Sequence, residues 1–266
     1  MSDYVLERGQ KGARRLELLA AAMWPSTRAV LGRAGIEFGT RCLDLGCGIG
    51  TVTCEIARMS GHCKGVDIDP GYIDIARRRA AARRVAGTEF EAASWEQANG
   101  EPYDLVYARY LLSHLQDPTS ALIHMRGCAR PGGTVVVEDI DFQGHFHHPP
   151  HPAFERYLEL YEGAVRSHGG NARFGRNLLA AAREAGLVEV EIEMAISVHH
   201  RGPGKMVAEL TLEQVSEALF SYNLSTPDEV ERLLGELRDY RQDPTTQMSL
   251  APTFQLVARV PSNPSR

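Results

Sequence analysis

The chain has 266 residues, 43% of them hydrophobic and 24% charged, enough to bury a full core and too balanced for a disordered or fibrous protein. A formal net charge of -5 leaves no electrostatic footprint for nucleic acid, no apolar run approaches the roughly 20 residues of a membrane span, and MSDYVLERGQ lacks the hydrophobic segment of a signal peptide. The five cysteines, at 42, 47, 54, 63 and 128, form no CxxC pair, so neither a disulfide framework nor a zinc knuckle is expected and the chain reads as cytoplasmic.

Residues 3 to 24 repeat apolar side chains at helical spacing (Leu6, Ala13, Leu16, Leu19, Ala20, Met23), and Trp24-Pro25 is expected to stop that helix. From Arg41 to about Glu193 short apolar runs alternate with helical stretches, the pattern of a doubly wound α/β sheet. RCLDL, KGVDI, TEFEAA, YDLVYA, TVVVED and LVEVEIE read as its strands. Between them, Pro70 sits at a first helical position, and DPTSALIHMRGCARPGG opens on an Asp cap and closes on Pro-Gly-Gly. The basic run ARRRAAARR at 76 to 84 reads as the solvated face of a surface helix. Further on, Thr211-Leu-Glu-Gln214 and Thr226-Pro-Asp-Glu229 match the capping-box pattern and predict helices near 212 to 222 and 227 to 240. FQLVARV, at 254 to 260, closes the chain as a strand.

The most informative stretch is CLDLGCGIGTVTCEIA, residues 42 to 57. A strand carrying Asp44 runs into a loop with glycines at 46, 48 and 50 that opens a helix. Glycines let the backbone approach a ligand, and the helix N-terminus offers free N–H groups, so this is a small-molecule cradle. The dinucleotide fingerprint G-x-G-x-x-G is not met, because the third glycine comes one position early. Asp67, at the end of the next strand, stands where an acid accepts hydrogen bonds from both ribose hydroxyls.

In order and spacing, LDLGCGIG, GVDID, YDLVYARYLLSHLQDP and ARPGGTVVVED resemble the class I S-adenosylmethionine-dependent methyltransferases, most nearly the group of ubiquinone and menaquinone biosynthesis enzymes and small-molecule methyltransferases of secondary metabolism. The resemblance covers about residues 35 to 195. It implies one domain with a seven-stranded Rossmann-like sheet whose last, antiparallel strand inserts beside the fifth. Helical cap additions would lie at 1–34, after strand 5 at 140–172, and between strands 6 and 7 at 196–250. It also implies S-adenosylmethionine as cofactor. Gly46, Cys47 and Gly48 would lie against its methionine part, Asp44 would hold the ammonium, Asp67 the ribose, and Ile68 would flank the adenine. Where the family usually carries Gly-Asp this chain has Ala93-Ser94, then Trp95, and the Ser94 hydroxyl can still reach the adenine amino group, more weakly than a carboxylate. Arg109 falls at the methionine end of the family's pocket, with a surface arginine as the other reading. Tyr4 and Arg15 resemble residues that close over the cofactor, with helix packing as the alternative. His114 falls where relatives carry histidine, and a packing role is expected.

Methyl transfer from a sulfonium is an in-line displacement that asks the protein for alignment, exclusion of water and removal of a proton where the acceptor carries one. The acceptor must approach beyond the carboxyl ends of the strands, where TVVVED runs into DFQGHFHHPPHPAF, with four of the ten histidines between 145 and 151. Three readings stay open. Metal binding through His145-x-His147 or His147-x3-His151 is disfavoured by Pro149, Pro150 and Pro152, so no metal is expected. A general base is the second reading, with His145, His148 and Asp139 as candidates and Asp141 beside them. The third is a proline-stiffened crossover in which the histidines and Phe142, Phe146 and Phe154 pack or face water. Tyr157 and Tyr161 share a helix face and suit either an apolar pocket or a core. The expected partner is a small aromatic or isoprenoid-like methyl acceptor, with no nucleic acid and no membrane, and the cap helices could pair into a homo-oligomer. Two other functions stay open: a cofactor-binding sensor or assembly protein without transfer, and an NAD(P)-dependent oxidoreductase.

Overall fold

The computed structural model describes residues 10–100 and 102–262. Helix α1 (Gln10–Arg33) runs through Pro25 and buries Met23, Val30 and Leu31. The expected stop at Trp24-Pro25 is therefore wrong. Pro25 frees the carbonyl of Ala21, but both residues are exposed and water can satisfy it, while the Ser26 hydroxyl donates to the Met23 carbonyl at 2.8 Å. Tyr4 and Leu6 lie outside the described residues.

The chain then alternates β1 (Arg41–Leu45), α2 (Thr51–Ser60), β2 (His62–Asp67), α3 (Pro70–Ala82), β3 (Thr88–Ala92), β4 (Tyr103–Arg109), α4 (Pro118–Cys128) and β5 (Ala129–Ile140). Pro70 and Pro118 open α3 and α4, each behind a capping aspartate, Asp69 and Asp117, as the sequence predicts. Beyond β5 come β6 (His147–His148), α5 (Pro152–Ser167), α6 (Leu178–Glu184), β7 (Val188–Ala195), β8 (Val198–His199), α7 (Val207–Ser221), α8 (Pro227–Gln242), β9 (Gln247–Ser249) and β10 (Thr253–Arg259).

Seven strands form one sheet in the order β3-β2-β1-β4-β5-β10-β7, with β10 antiparallel to both neighbours. This is the expected doubly wound sheet with its last strand inserted beside the fifth. Its central strands read as continuous apolar runs because both faces are covered, by α1 and α2 on one side and α4 and α6 on the other. A second, three-stranded sheet, β6-β9-β8, escapes sequence reading because its members are two or three residues long.

Helices α5, α7 and α8 pack into a separate cluster with Phe154, Leu212, Val215, Leu219 and Leu233 at 2% exposure or less. Each such side chain contributes about 1.5–3 kcal/mol on burial. Thr226 caps α8 as predicted, accepting from Glu229 N at 3.2 Å. Thr211 does not cap α7. The apolar face begins earlier, at Val207, and the Thr211 hydroxyl donates back to the Val207 carbonyl at 2.6 Å from within the helix. Among the described residues no helix is long and apolar enough to cross a membrane.

Candidate active site

The parallel register sets Asp44 opposite Gly65 on β2 and Tyr107 on β4, so Asp44, Asp67 and Arg109 emerge at the same carboxyl edge of the sheet. A cavity of ≈ 560 Å³ opens there, between the strand ends and helices α1, α5 and α7. It has the size of a small-ligand site.

One end of the cavity is the glycine loop. Gly46, Gly48 and Gly50 all take left-handed backbone, at φ 71, 54 and 68°. The Gly46 and Cys47 amides donate to the Val66 carbonyl at 2.8 and 3.0 Å, and the Gly48 amide donates to Asp67 Oδ2 at 2.8 Å. Asp67 Oδ1 accepts from the Asp69 amide at 2.9 Å, so one carboxylate ties the loop to the end of β2 and still borders the cavity. Ile68, Ser94 and Trp95 continue this wall, Ile68 at 49% exposure.

Asp44 is buried, and the Thr53 hydroxyl donates to it at 2.6 Å. Burial pushes its carboxyl up to about 7, against the Thr53 hydrogen bond and the charge of Arg109. Arg109 stands over the Tyr110 ring at 5.3 Å and donates to the Thr27 hydroxyl at 3.4 Å. Burial works against its charge, but Tyr107, Tyr110, Glu138 and Asp44 together hold it above its ordinary value. Behind it the fully buried Glu138 accepts from Thr27 Oγ1 at 2.7 Å, from Gln255 Nε2 at 2.6 Å and from the Tyr107 hydroxyl. Tyr110 itself is left-handed at φ 55°, its amide held by the Glu138 carbonyl at 2.8 Å, and this bend turns its ring into the cavity wall.

The other end is lined by the cap. Arg15, 9% exposed, donates from Nε to Thr211 Oγ1 at 2.8 Å. Tyr157 and Tyr161 lie beside it, and Phe142 stacks on Tyr161 with ring centroids 4.1 Å apart. His145 meets Phe142 edge-on at 4.5 Å, and its Nδ1 is 3.2 Å from the Ser249 carbonyl oxygen. A carbonyl only accepts, so Nδ1 carries the hydrogen and Nε2 presents a lone pair. That Nε2 is buried without a hydrogen-bond partner among the described residues, and burial pushes the ring down to about 4.

The structure sorts the predicted residues. Arg15, Asp44, Gly46, Cys47, Gly48, Asp67, Ile68, Ser94, Trp95, Arg109, His114 and His145 share the one cavity. Tyr4 is outside the described residues. His148 is exposed on β6 and does not line the cavity. Asp139 does not reach the cavity either. It accepts from the Ser113 and Ile140 amides at 3.0 and 2.8 Å and so anchors the 112–114 turn to the end of β5. Asp141 caps the 142–144 turn and pairs with Arg176 at 2.5 Å, while His147 stacks on Phe154 and His151 caps α5. Tyr157 and Tyr161 serve both as core and as cavity wall. Among the described residues no group of three or more His, Cys, Asp or Glu side chains is placed to hold a metal ion. Sequence reasoning read Thr211 only as a helix cap and passed over Tyr110 and Glu138. An acid inside the apolar run TVVVED was a signal for the last, and nothing local marked the other two.

Residues 36–176 match the family model described as "Methyltransferase domain". The chain is 33% identical over 111 residues to the ubiquinone biosynthesis O-methyltransferase of Aeromonas salmonicida, an alignment covering 41% of this chain and 47% of that protein. The chain thus spans about half the length of that curated relative. Among solved structures, the YcgJ protein of Bacillus subtilis superposes with a TM-score of 0.59 at 15% identity, over 89% of this chain and 100% of that one. Phosphoethanolamine N-methyltransferase 2 of Haemonchus contortus, in complex with S-adenosyl-L-methionine, superposes with a TM-score of 0.55 at 18% identity, over 90% of this chain and 53% of that one. These likenesses establish a shared fold.

Proposed function

We propose that this chain, which belongs to the methyltransferase domain family, transfers the methyl group of S-adenosylmethionine to an O, N or C nucleophile of a small organic acceptor. The observation that carries the reading is the placing of a buried acid, Asp44, and a half-buried guanidinium, Arg109, at adjoining strand ends beside a glycine loop. A buried carboxylate neutralises unless a cation compensates it, and Asp44 sits at that threshold. Its chemistry fits the ammonium of the cofactor's methionine part, and Arg109 fits the carboxylate. Asp67 would take the ribose hydroxyls, with Ile68 and Trp95 beside the adenine and the Ser94 hydroxyl toward its amino group.

When bound, S-adenosylmethionine supplies a methyl group already activated by a positively charged sulfur. The chain's own work is then to place the acceptor, keep water out and take a proton. Leu19, Ile140, Phe142 and Leu250 make the acceptor end apolar, which supports an aromatic or isoprenoid-like molecule. His145 Nε2 would accept the proton of the attacking O–H or N–H, its tautomer set by Ser249.

Calorimetric titration with S-adenosylmethionine and, separately, with NAD+ and NADP+ tests the reading, followed by incubation of labelled S-adenosylmethionine with extracts of the producing organism. Saturable binding of S-adenosylmethionine and a labelled small-molecule product are expected. Tight binding of a nicotinamide cofactor with none of S-adenosylmethionine would overturn it, and binding without any labelled product would replace transfer by sensing.

A further inference from the structure

Two guanidinium groups, the buried Arg15 and the half-buried Arg109, line the cavity, while the cofactor assigned to it has a single carboxylate. We propose that the methyl acceptor is an apolar acid, an aromatic or isoprenoid-like molecule bearing a carboxylate, and that Arg15 holds that carboxylate. The inference rests on the methyltransferase reading above and names the acceptor's chemical class.

Arg15 is the better candidate for the second anion on three grounds. It is 9% exposed, and among the described residues its one hydrogen bond runs from Nε to Thr211 Oγ1. A guanidinium has five N–H donors, so its Nη groups are left for a partner at the cavity. A cation buried this far with no carboxylate partner among the described residues is costly, and an anion entering the cavity offsets that cost. Second, the electrostatic neighbourhoods separate. Arg109 is the arginine that acts on Asp44, whereas Arg15 acts on Tyr157, Tyr161 and His114, all at the cap end.

Third, burial raises both phenols, so Tyr157 and Tyr161 keep their protons and can donate to an anion beside Arg15. The remaining walls, Leu19, Ile140, Phe142 and Leu250, offer an acceptor body apolar contact. A planar guanidinium fork held at Nε by Thr211 suits the two oxygens of a carboxylate better than a single hydroxyl.

The test uses the full chain loaded with S-adenosylhomocysteine and a panel of matched pairs: benzoate, cinnamate, 3-(4-hydroxyphenyl)propanoate and dodecanoate, each against its carboxamide, titrated calorimetrically. At least one acid is expected to bind about tenfold or more tighter than its amide, since a charged hydrogen bond is being exchanged for a neutral one. Arg15→Gln should reduce that preference to about twofold or less while leaving affinity for S-adenosylhomocysteine within about threefold. A preference below about tenfold in every wild-type pair overturns the proposal. So does an Arg15→Gln variant that loses S-adenosylhomocysteine itself, which would make Arg15 a cofactor residue. An Arg15→Gln variant that keeps the tenfold preference overturns it as well, and Arg15→Met, which also removes the charge, replaces that variant should it be unstable. A wild-type chain that binds no S-adenosylhomocysteine would instead sink the methyltransferase reading.

Discussion

Nδ1 of His145 lies 3.2 Å from the carbonyl oxygen of Ser249, and that contact decides what the opposite side of the ring can do. With the hydrogen on Nδ1, Nε2 is an acceptor, buried and unpartnered among the described residues, on a ring that borders the cavity. His145→Ala is expected to lower kcat by about 10²-fold or more, the range for loss of a positioned base, with S-adenosylmethionine affinity nearly unchanged. His148→Ala, at an exposed position outside the cavity, is expected to change neither. Because burial holds His145 at about 4, the ring stays neutral above pH 5, and kcat should show no histidine ionisation between pH 5 and 8. Steady-state kinetics of both variants decides the matter, and an unaltered kcat in His145→Ala reduces the ring to packing.

The role proposed for Asp44 predicts that cofactor binding depends on pH. Its carboxyl is raised to about 7, so in the free protein the stability linked to its proton is fully present below the ordinary carboxylate value of 3.8 and is lost as pH rises through about 7. Binding a cation requires the ionised form. Affinity for S-adenosylmethionine should therefore rise with pH up to about 7 and level off above it, with proton release on binding at pH 6. Calorimetry at pH 6 in two buffers of different ionisation enthalpy measures that release. Asp44→Asn should bind more weakly and lose the dependence, and a flat profile in the wild type would mean that Asp44 does not meet the ammonium.

What the sequence revealed follows from where its information is local. The sheet was legible because each strand is a short apolar run between turn signals, and even the inserted last strand could be placed once the family resemblance was seen. The strand-end side of the cavity was legible for the same reason: Asp44, the glycines and Asp67, which share it, each sit at a strand end in continuous motifs. The cap side of the cavity was not, because it is assembled from distant segments. Arg15 and Thr211 are 196 positions apart, and the His145 tautomer is set by a carbonyl 104 positions away. GHFHHPPH could be assigned to the mouth of the site, but only the folded chain shows that His145, held by the Ser249 carbonyl, borders the cavity while His148 is exposed on β6.

The glycine loop separates binding from stability at two positions. A Cβ on Gly50 would lie 2.7 Å from Ala76 Cβ and from Phe90 Cε1, so α3 and β3 would have to move, besides the cost of a left-handed non-glycine residue. A Cβ on Gly48 would meet Leu16 Cδ1 at 3.2 Å, the end of a flexible side chain on α1. Gly50→Ala is expected to lose about 3 kcal/mol or more of stability, and Gly48→Ala only about 1–2 kcal/mol. Gly48→Ala should nevertheless weaken S-adenosylmethionine binding, because its Cβ also narrows the loop's approach to the ligand. Urea unfolding and calorimetric titration of the two variants check this, and equal losses of stability would contradict it.

Glu138 is the structural support of Arg109. Paired with Arg109 in the β4–β5 register, it is fully buried and receives hydrogen bonds from Thr27, Tyr107 and Gln255, linking α1, β4 and β10. An amide in its place keeps the shape but has one acceptor oxygen where the carboxylate has two, so at least one of the three donors loses its partner. Glu138→Gln should cost about 1–3 kcal/mol of stability, the penalty for a buried donor left unsatisfied. Because it also removes a negative charge near Arg109, the cofactor's carboxylate would meet a less confined guanidinium, and affinity for S-adenosylmethionine should change by several-fold, whereas Arg15-dependent discrimination of acids should persist. Denaturant titration together with the acid and amide panel separates the two effects. A Glu138→Gln variant that keeps wild-type stability would mean that the three-donor arrangement around Glu138 does not hold the strand ends.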